Sequence, residues 1–244
     1  MNFPRGTVQD YTIHSDKLGE PMDLLIYLPP TFSPLYKYNV LIALDGLDYF
    51  QLGGIVKLAD EMLHQNVIEQ LIIVGVPYKN GRDRHEKYHP DGEQSQAFLQ
   101  FLVQELVPYL DRTFPTYQIG MGRALIGDSL AGYTAFKAAL TYPHTFGKVA
   151  LQSPYAHINL FSTIEQFSHP ALLEIYHVVG TEEISVKTNH GKIENFIEQN
   201  RKLAAILASK GFQYHYQEFN GSHTWKYWQQ DLRRALPSLF SPKT

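Results

Sequence analysis

Apolar and polar positions along the chain predict strands and helices in turn. Residues 7–15 and 22–28 read as two strands around a Lys17-Leu18-Gly19-Glu20 turn, closed by Pro29 and Pro30, which predicts an antiparallel start. Residues 38–44 are an almost wholly apolar run ending in Asp45-Gly46, and residues 70–76 repeat the pattern before Pro77. Runs this apolar are expected of strands buried on both faces. Between them Leu52, Ile55, Val56, Ala59, Leu63 and Val67 form a helical stripe over residues 49–67, weakened by Gly53 and Gly54. Residues 78–93 carry Lys79, Arg82, Arg84, Gly81, Pro90 and Gly92 and no apolar periodicity, which predicts a long surface loop. Loops of that length inside a compact domain commonly border a functional site, so this one is expected to wall it.

The second half continues the alternation. Phe98, Phe101, Leu102, Leu106, Tyr109 and Leu110 fall at the three-and-four spacing of a helix that packs on a sheet. A buried strand over residues 124–126 hands over to a helix at 130–140. Short strands follow at 148–152 and 175–179, then a helix at 193–207, an alternating edge strand at 212–219 and a closing amphipathic helix at 224–236. Strands that alternate with helices define an α/β protein with a mainly parallel central sheet and helices on both faces. Ligands are then expected at the carboxyl ends of the strands. No repeat or linker divides the 244 residues, and the expectation is a single domain spanning 1–244.

Composition narrows the partners. The net charge is −3 and no run of like charges occurs, so neither nucleic acid nor a membrane surface is an implied partner. The absence of cysteine excludes disulfides, thiolate metal sites and cysteine nucleophiles. The first ten residues lack a basic region followed by an apolar stretch, and no segment approaches the roughly 20 apolar residues needed to span a bilayer. A cytoplasmic protein is therefore expected; the sequence is silent on its oligomeric state.

Candidate chemistry centres on Gly127-Asp128-Ser129-Leu130-Ala131-Gly132. Ser129 sits where a strand hands over to a helix. A nucleophilic serine at such a sharp turn needs very small residues two places before and after it, and Gly127 and Ala131 meet that need. A serine hydroxyl also needs a base, and the base needs an acid to orient it. Of His144, His157, His169, His177, His190, His215 and His223, which follow Ser129, His223 is singled out. It comes after the last predicted strand in Asn220-Gly221-Ser222 and immediately before the final helix, so it is placed at the carboxyl edge of the sheet. The strand at 175–179 ends in Gly180-Thr181-Glu182-Glu183, which offers Glu182 or Glu183 as the acid. An oxyanion hole needs two backbone N–H groups, one from the residue after the serine, Leu130, and one from an earlier strand-to-loop turn. Asp45-Gly46-Leu47 provides the second through Leu47.

Taken in order, Leu44-Asp45-Gly46-Leu47, the segment 84–90 with Glu86, Tyr88 and Pro90, Gly127 to Gly132, Gln152-Ser153-Pro154, Gly180 to Glu183 and Gly221-Ser222-His223-Thr224-Trp225 resemble the putative esterase family. That family includes siderophore esterases of the enterobactin type, feruloyl esterases, S-formylglutathione hydrolases and mycolyltransferases. The resemblance covers nearly the whole chain. It implies an α/β-hydrolase fold, a Ser-acid-His mechanism on a small-molecule ester without a cofactor, Glu183 rather than Glu182 as the acid, and Leu47 and Leu130 at the oxyanion positions. Ala131 in place of the commoner glycine, and a glutamate where aspartate is frequent, are its departures. The expected function is a serine carboxylic ester hydrolase. A siderophore trilactone hydrolase is the alternative within that chemistry, and a non-catalytic binding module on the same fold is the alternative outside it.

Two further motifs need placing. His85-Glu86-Lys87-Tyr88-His89 spells HExxH, which binds zinc only where a helix brings both histidines to one face. Pro90, the flanking Gly81 and Gly92, and the lack of an apolar face argue against such a helix, so no metal site is expected. Trp225 and Trp228 read as core anchors of the last helix, with Trp225 the candidate for the acyl pocket.

Overall fold

The computed structural model describes residues 3–188 and 191–242. In chain order the elements are β1 (Thr7–Ser15), β2 (Glu20–Leu28), β3 (Asn39–Leu44), α1 (Gly46–Gln51), α2 (Ile55–His64), β4 (Leu71–Val76), α3 (Gly81–Tyr88) and α4 (Ser95–Phe101). A π-helical turn, Leu102–Leu106, joins α4 to α5 (Val107–Thr113). Then come β5 (Arg123–Asp128), α6 (Ser129–Thr141), β6 (Lys148–Gln152), α7 (Ile158–Gln166), β7 (Glu174–Gly180), β8 (Val186–Lys187), β9 (Ile193–Glu194), α8 (Phe196–Ser209), β10 (Gln213–Phe219) and α9 (Trp225–Phe240).

Eight strands form one sheet in the order β1-β2-β4-β3-β5-β6-β7-β10. β1 pairs with β2 and β2 with β4 antiparallel, and the rest of the sheet is parallel. Every residue of β3, β4 and β5 is buried, as their apolar runs require. Alternate side chains of these strands feed two separate cores. One, with Val40, Ile42 and Leu44, packs Phe98, Phe136, Leu160 and Leu203 of α4, α6, α7 and α8. The other, with Leu41 and Ala43, packs Leu58 and Leu63 of α2 and Leu232 and Leu236 of α9. Helices thus cover both faces, the arrangement of the α/β-hydrolase fold. Among the described residues no helix is long and apolar enough to cross a membrane.

The structure corrects four element expectations. The stripe at 49–67 is two helices rather than one: the first closes at Gln51 with Leu52 as its C-cap, and Gly54, in a left-handed conformation (φ 61°), caps the next. The helix expected from Ile193 starts at Phe196; Ile193 and Glu194 instead pair with Val186 and Lys187 in a small antiparallel ribbon. Helix α7 was not expected. The largest difference lies in the segment 78–93, which contains α3 where a loop was expected. Asn80 caps α3, its side chain accepting from the N–H groups of Arg82 and Asp83, both at 3.0 Å. Its inward side chains are largely charged. Arg84 pairs with Asp45, while Lys87, 2 % exposed, pairs with Glu20 and Asp83 at 2.5 and 2.6 Å. Ion pairs therefore bury this helix, which an apolar periodicity does not register. Pro90 still acts as a stop: His89 is extended, and α3 ends at Tyr88.

Candidate active site

Ser129 is the first residue of α6 and directly follows β5, with φ at 50°. A non-glycine residue in that region is strained and persists only where the surroundings impose it. The neighbours show how. A Cβ added at Gly127 would lie 2.4 Å from both the carbonyl carbon and oxygen of Ala131, so only glycine lets the strand and helix meet. On the helix side the tight contact falls on Gly132, whose added Cβ would come within 3.0 Å of the Gly127 oxygen and of Pro154. That explains why Ala131, buried in the core, is accommodated beside the turn. Gly127→Ala is expected to be overpacked by about 3 kcal/mol, lowering the Tm by about 6–12 °C in a melting experiment. A Tm within about 2 °C of the unchanged protein would contradict that account.

His223, after β10, reaches back to the same point. Its Nε2 lies 2.9 Å from Ser129 Oγ and its Nδ1 2.7 Å from Glu183 Oε2. Nδ1–H donates to the carboxylate, which leaves Nε2 to accept the serine proton. Glu183 is fully buried, and its other oxygen, Oε1, accepts from Gly180 N–H at 2.9 Å and from Ser153 Oγ at 2.6 Å. Glu182 is exposed on the same turn. The structure therefore brings Ser129, His223 and Glu183 together and leaves Glu182 in solvent.

Leu47 and Leu130 are each the second residue of a helix, α1 and α6, and those helices spring from the carboxyl ends of the adjacent parallel strands β3 and β5. Amides in the first turn of a helix have no intrahelical acceptor and point outward. The turn before Leu47 is held firmly. Asp45 is the left-handed residue (φ 57°), whereas Gly46 is needed because a Cβ there would lie 2.3 Å from Val76 N. Arg84 grips the Asp45 carboxylate with Nε at 2.8 and 2.9 Å and Nη2 at 2.6 Å, and Tyr88 Oη accepts from the Asp45 N–H at 3.2 Å. Although burial opposes it, Asp45 holds the Arg84 pKa above its ordinary value. The helix missing from the sequence expectation is thus the buttress of the turn that carries Leu47.

Ser129, Leu130 and His223 line a cavity of about 470 Å³ together with Asp45, Arg84, Asp128, Tyr155, Phe196 and residues of the β8–β9 ribbon, whereas the Leu47 side chain is exposed and not part of that lining. Trp228 rather than Trp225 lines the cavity. The Trp228 ring meets His223 edge-on at 4.8 Å, while Trp225 packs against Tyr49 beneath. His85 and His89 also face the cavity with their rings stacked at 4.5 Å, and among the described residues no three metal-ligating side chains cluster. Glu86 is turned to the next segment, where its Oε2 accepts from Glu93 N–H.

Three of the other histidines that follow Ser129 are engaged elsewhere. His177 is buried between Tyr214 Oη and Asn200 Oδ1, and burial pushes its pKa down to about 4. His157 caps α7, and His215 stacks on Tyr176. His190 lies outside the described residues.

Asp128 was not expected to matter. It is 4 % exposed, its Oδ1 meets no hydrogen-bond partner among the described residues, and its pKa is raised by burial first and the nearby Asp45 charge second. A carboxyl group with a raised pKa takes up protons on folding. It thus weakens the fold as pH rises above the unfolded value, until the folded value is passed. Asp128→Asn, which cannot ionise, is therefore expected to melt higher than the unchanged protein at pH 7, the gain shrinking as pH falls toward 4. Equal melting temperatures across that range would show that Asp128 is not penalised.

The putative esterase family model matches residues 15–239, and the chain belongs to that family. It is 45 % identical over 234 residues to the uncharacterized protein YjcH of Bacillus subtilis (strain 168), covering 96 % of this chain and 98 % of that one. Among solved structures it superimposes on a ferulic acid esterase with a TM-score of 0.80 at 17 % identity, covering 98 % of this chain and 99 % of that one. It also superimposes on the enterochelin esterase of Shigella flexneri with a TM-score of 0.82 at 19 % identity, covering 97 % of this chain but 59 % of that one. The structural likenesses establish the α/β-hydrolase fold. Family membership supports ester hydrolysis as the activity class.

Proposed function

We propose that this protein is a serine carboxylic ester hydrolase that cleaves a small-molecule ester through an acyl-enzyme. The observation that carries this reading is the unbroken hydrogen-bonded series Ser129–His223–Glu183, with the serine held at φ 50° at the carboxyl end of β5. In the first half-reaction Ser129 Oγ attacks the ester carbonyl carbon while its proton passes to His223 Nε2. The carbonyl π electrons move to oxygen, and the N–H groups of Leu47 and Leu130 receive the oxyanion. The oxyanion then collapses, the bond to the alkoxy oxygen breaks, and His223 returns the proton to the departing alcohol. Water repeats the sequence on the acyl-serine, releasing the carboxylic acid and restoring the serine. Glu183 keeps Nδ1–H directed at itself and stabilises the imidazolium formed in each half-reaction.

The cavity of about 470 Å³ accommodates the acyl and alcohol parts of a small ester, and no step calls on a cofactor. An activated p-nitrophenyl ester is expected to give a burst of nitrophenolate close to one equivalent per chain, with the acyl mass on Ser129 in a quenched digest. A panel of esters of graded acyl length plus one cyclic trilactone then separates a general esterase from a siderophore trilactone hydrolase. Neither burst nor steady turnover on any of them would leave a non-catalytic binding module as the better reading.

A further inference from the structure

Glu183 differs from an aspartate acid by one more methylene and one more torsion, so something must stop its carboxylate from swinging away from His223. The structure assigns that task to Ser153: we infer that its hydroxyl is a positioning group for Glu183, an inference that rests on the proposed esterase mechanism. Ser153 lies at the end of β6, fully buried, and its Oγ–H donates to Glu183 Oε1 at 2.6 Å. Trp228 Nε1–H donates to the same Oγ at 3.0 Å. Because the tryptophan can only donate, it occupies an acceptor position of the hydroxyl and leaves the serine proton for the carboxylate. With Gly180 N–H as the second donor, Oε1 is held from two sides and Oε2 is presented to His223 Nδ1.

The backbone at Ser153 supports a dedicated role. Its φ of 48° is left-handed, a conformation that a serine adopts at a cost and that glycine would adopt freely. Its N–H is anchored on the Val178 carbonyl of β7 at 2.7 Å, so the strained residue is pinned beside the strand that leads into Glu183. If only backbone shape mattered here, glycine would be the better residue. A serine in this conformation is accounted for by its hydroxyl.

Glycine therefore separates the two explanations. Ser153→Ala and Ser153→Gly are each expected to lower kcat on an activated ester by about tenfold, about the worth of one hydrogen bond, with KM within about twofold. The glycine variant should melt at least as high as the alanine variant. The loss should vanish where there is no carboxylate to hold: in a Glu183→Ala background, adding Ser153→Ala is expected to change kcat by less than about twofold. Full activity in Ser153→Gly, or a tenfold loss that persists without Glu183, overturns the inference. The unchanged protein is the control for the mechanism itself. Absence of both burst and steady turnover in it refutes the esterase reading, whereas normal turnover with fully active Ser153 variants refutes this inference alone.

Discussion

Ser129→Ala is expected to lower turnover of an activated ester by at least about a thousandfold while leaving the melting temperature nearly unchanged. The size of the loss follows from what is removed. On the proposed mechanism, without Oγ there is no acyl-enzyme and His223 has no hydroxyl from which to take a proton; what remains is the binding cavity and the two proposed oxyanion amides. The fold should tolerate the change, because alanine retains the Cβ at the φ of 50° and leaves no apolar cavity. Activity within tenfold of the unchanged protein would sink Ser129 as nucleophile. A large fall in Tm would show instead that the variant measures folding, and circular dichroism on the same sample distinguishes the cases.

Much of the fold was legible because burial wrote it into single residues. β3, β4 and β5 are buried throughout, and a strand with both faces covered must be apolar at nearly every position. The turn at Ser129 was legible for a similar reason, since Gly127 answers a contact of 2.4 Å that no side chain survives. Helix α3 was invisible on the same principle. Its inward residues Arg84 and Lys87 are buried by carboxylates that lie 39 residues away, in Asp45, and 67 residues away, in Glu20. Charge in a sequence reads as surface until its partner is known, and the partner is a tertiary fact. Trp228 and Ser153 share that difficulty: a buried tryptophan looks like any core anchor until the Nε1–H is seen to end on Ser153 Oγ. The small ribbon of β8 and β9, two residues to a strand, is too short to leave any periodicity at all.

The choice between two adjacent glutamates gives the second large effect. Residues alone left Glu182 and Glu183 open, because both follow Gly180 on a turn at the right edge of the sheet; the family resemblance favoured Glu183. The structure separates them by burial. Glu183 is fully enclosed and accepts from Gly180 N–H, Ser153 Oγ–H and His223 Nδ1–H, whereas Glu182 is exposed, its backbone N–H donating to Gly221 O at 3.0 Å. Glu183→Gln preserves shape but replaces a charged acceptor with a neutral amide, which no longer stabilises the imidazolium and can present its NH₂ to Nδ1. Turnover is expected to fall by about a hundredfold or more with KM little changed, since the acid acts on the base and not on bound substrate. Glu182→Gln removes an exposed charge and is expected to change turnover by less than about threefold. Both variants measured on one activated ester settle the assignment. A silent Glu183→Gln beside an impaired Glu182→Gln would transfer the role to Glu182, and two silent variants would mean that Ser129 and His223 act as a dyad or that the acid comes from elsewhere in the chain.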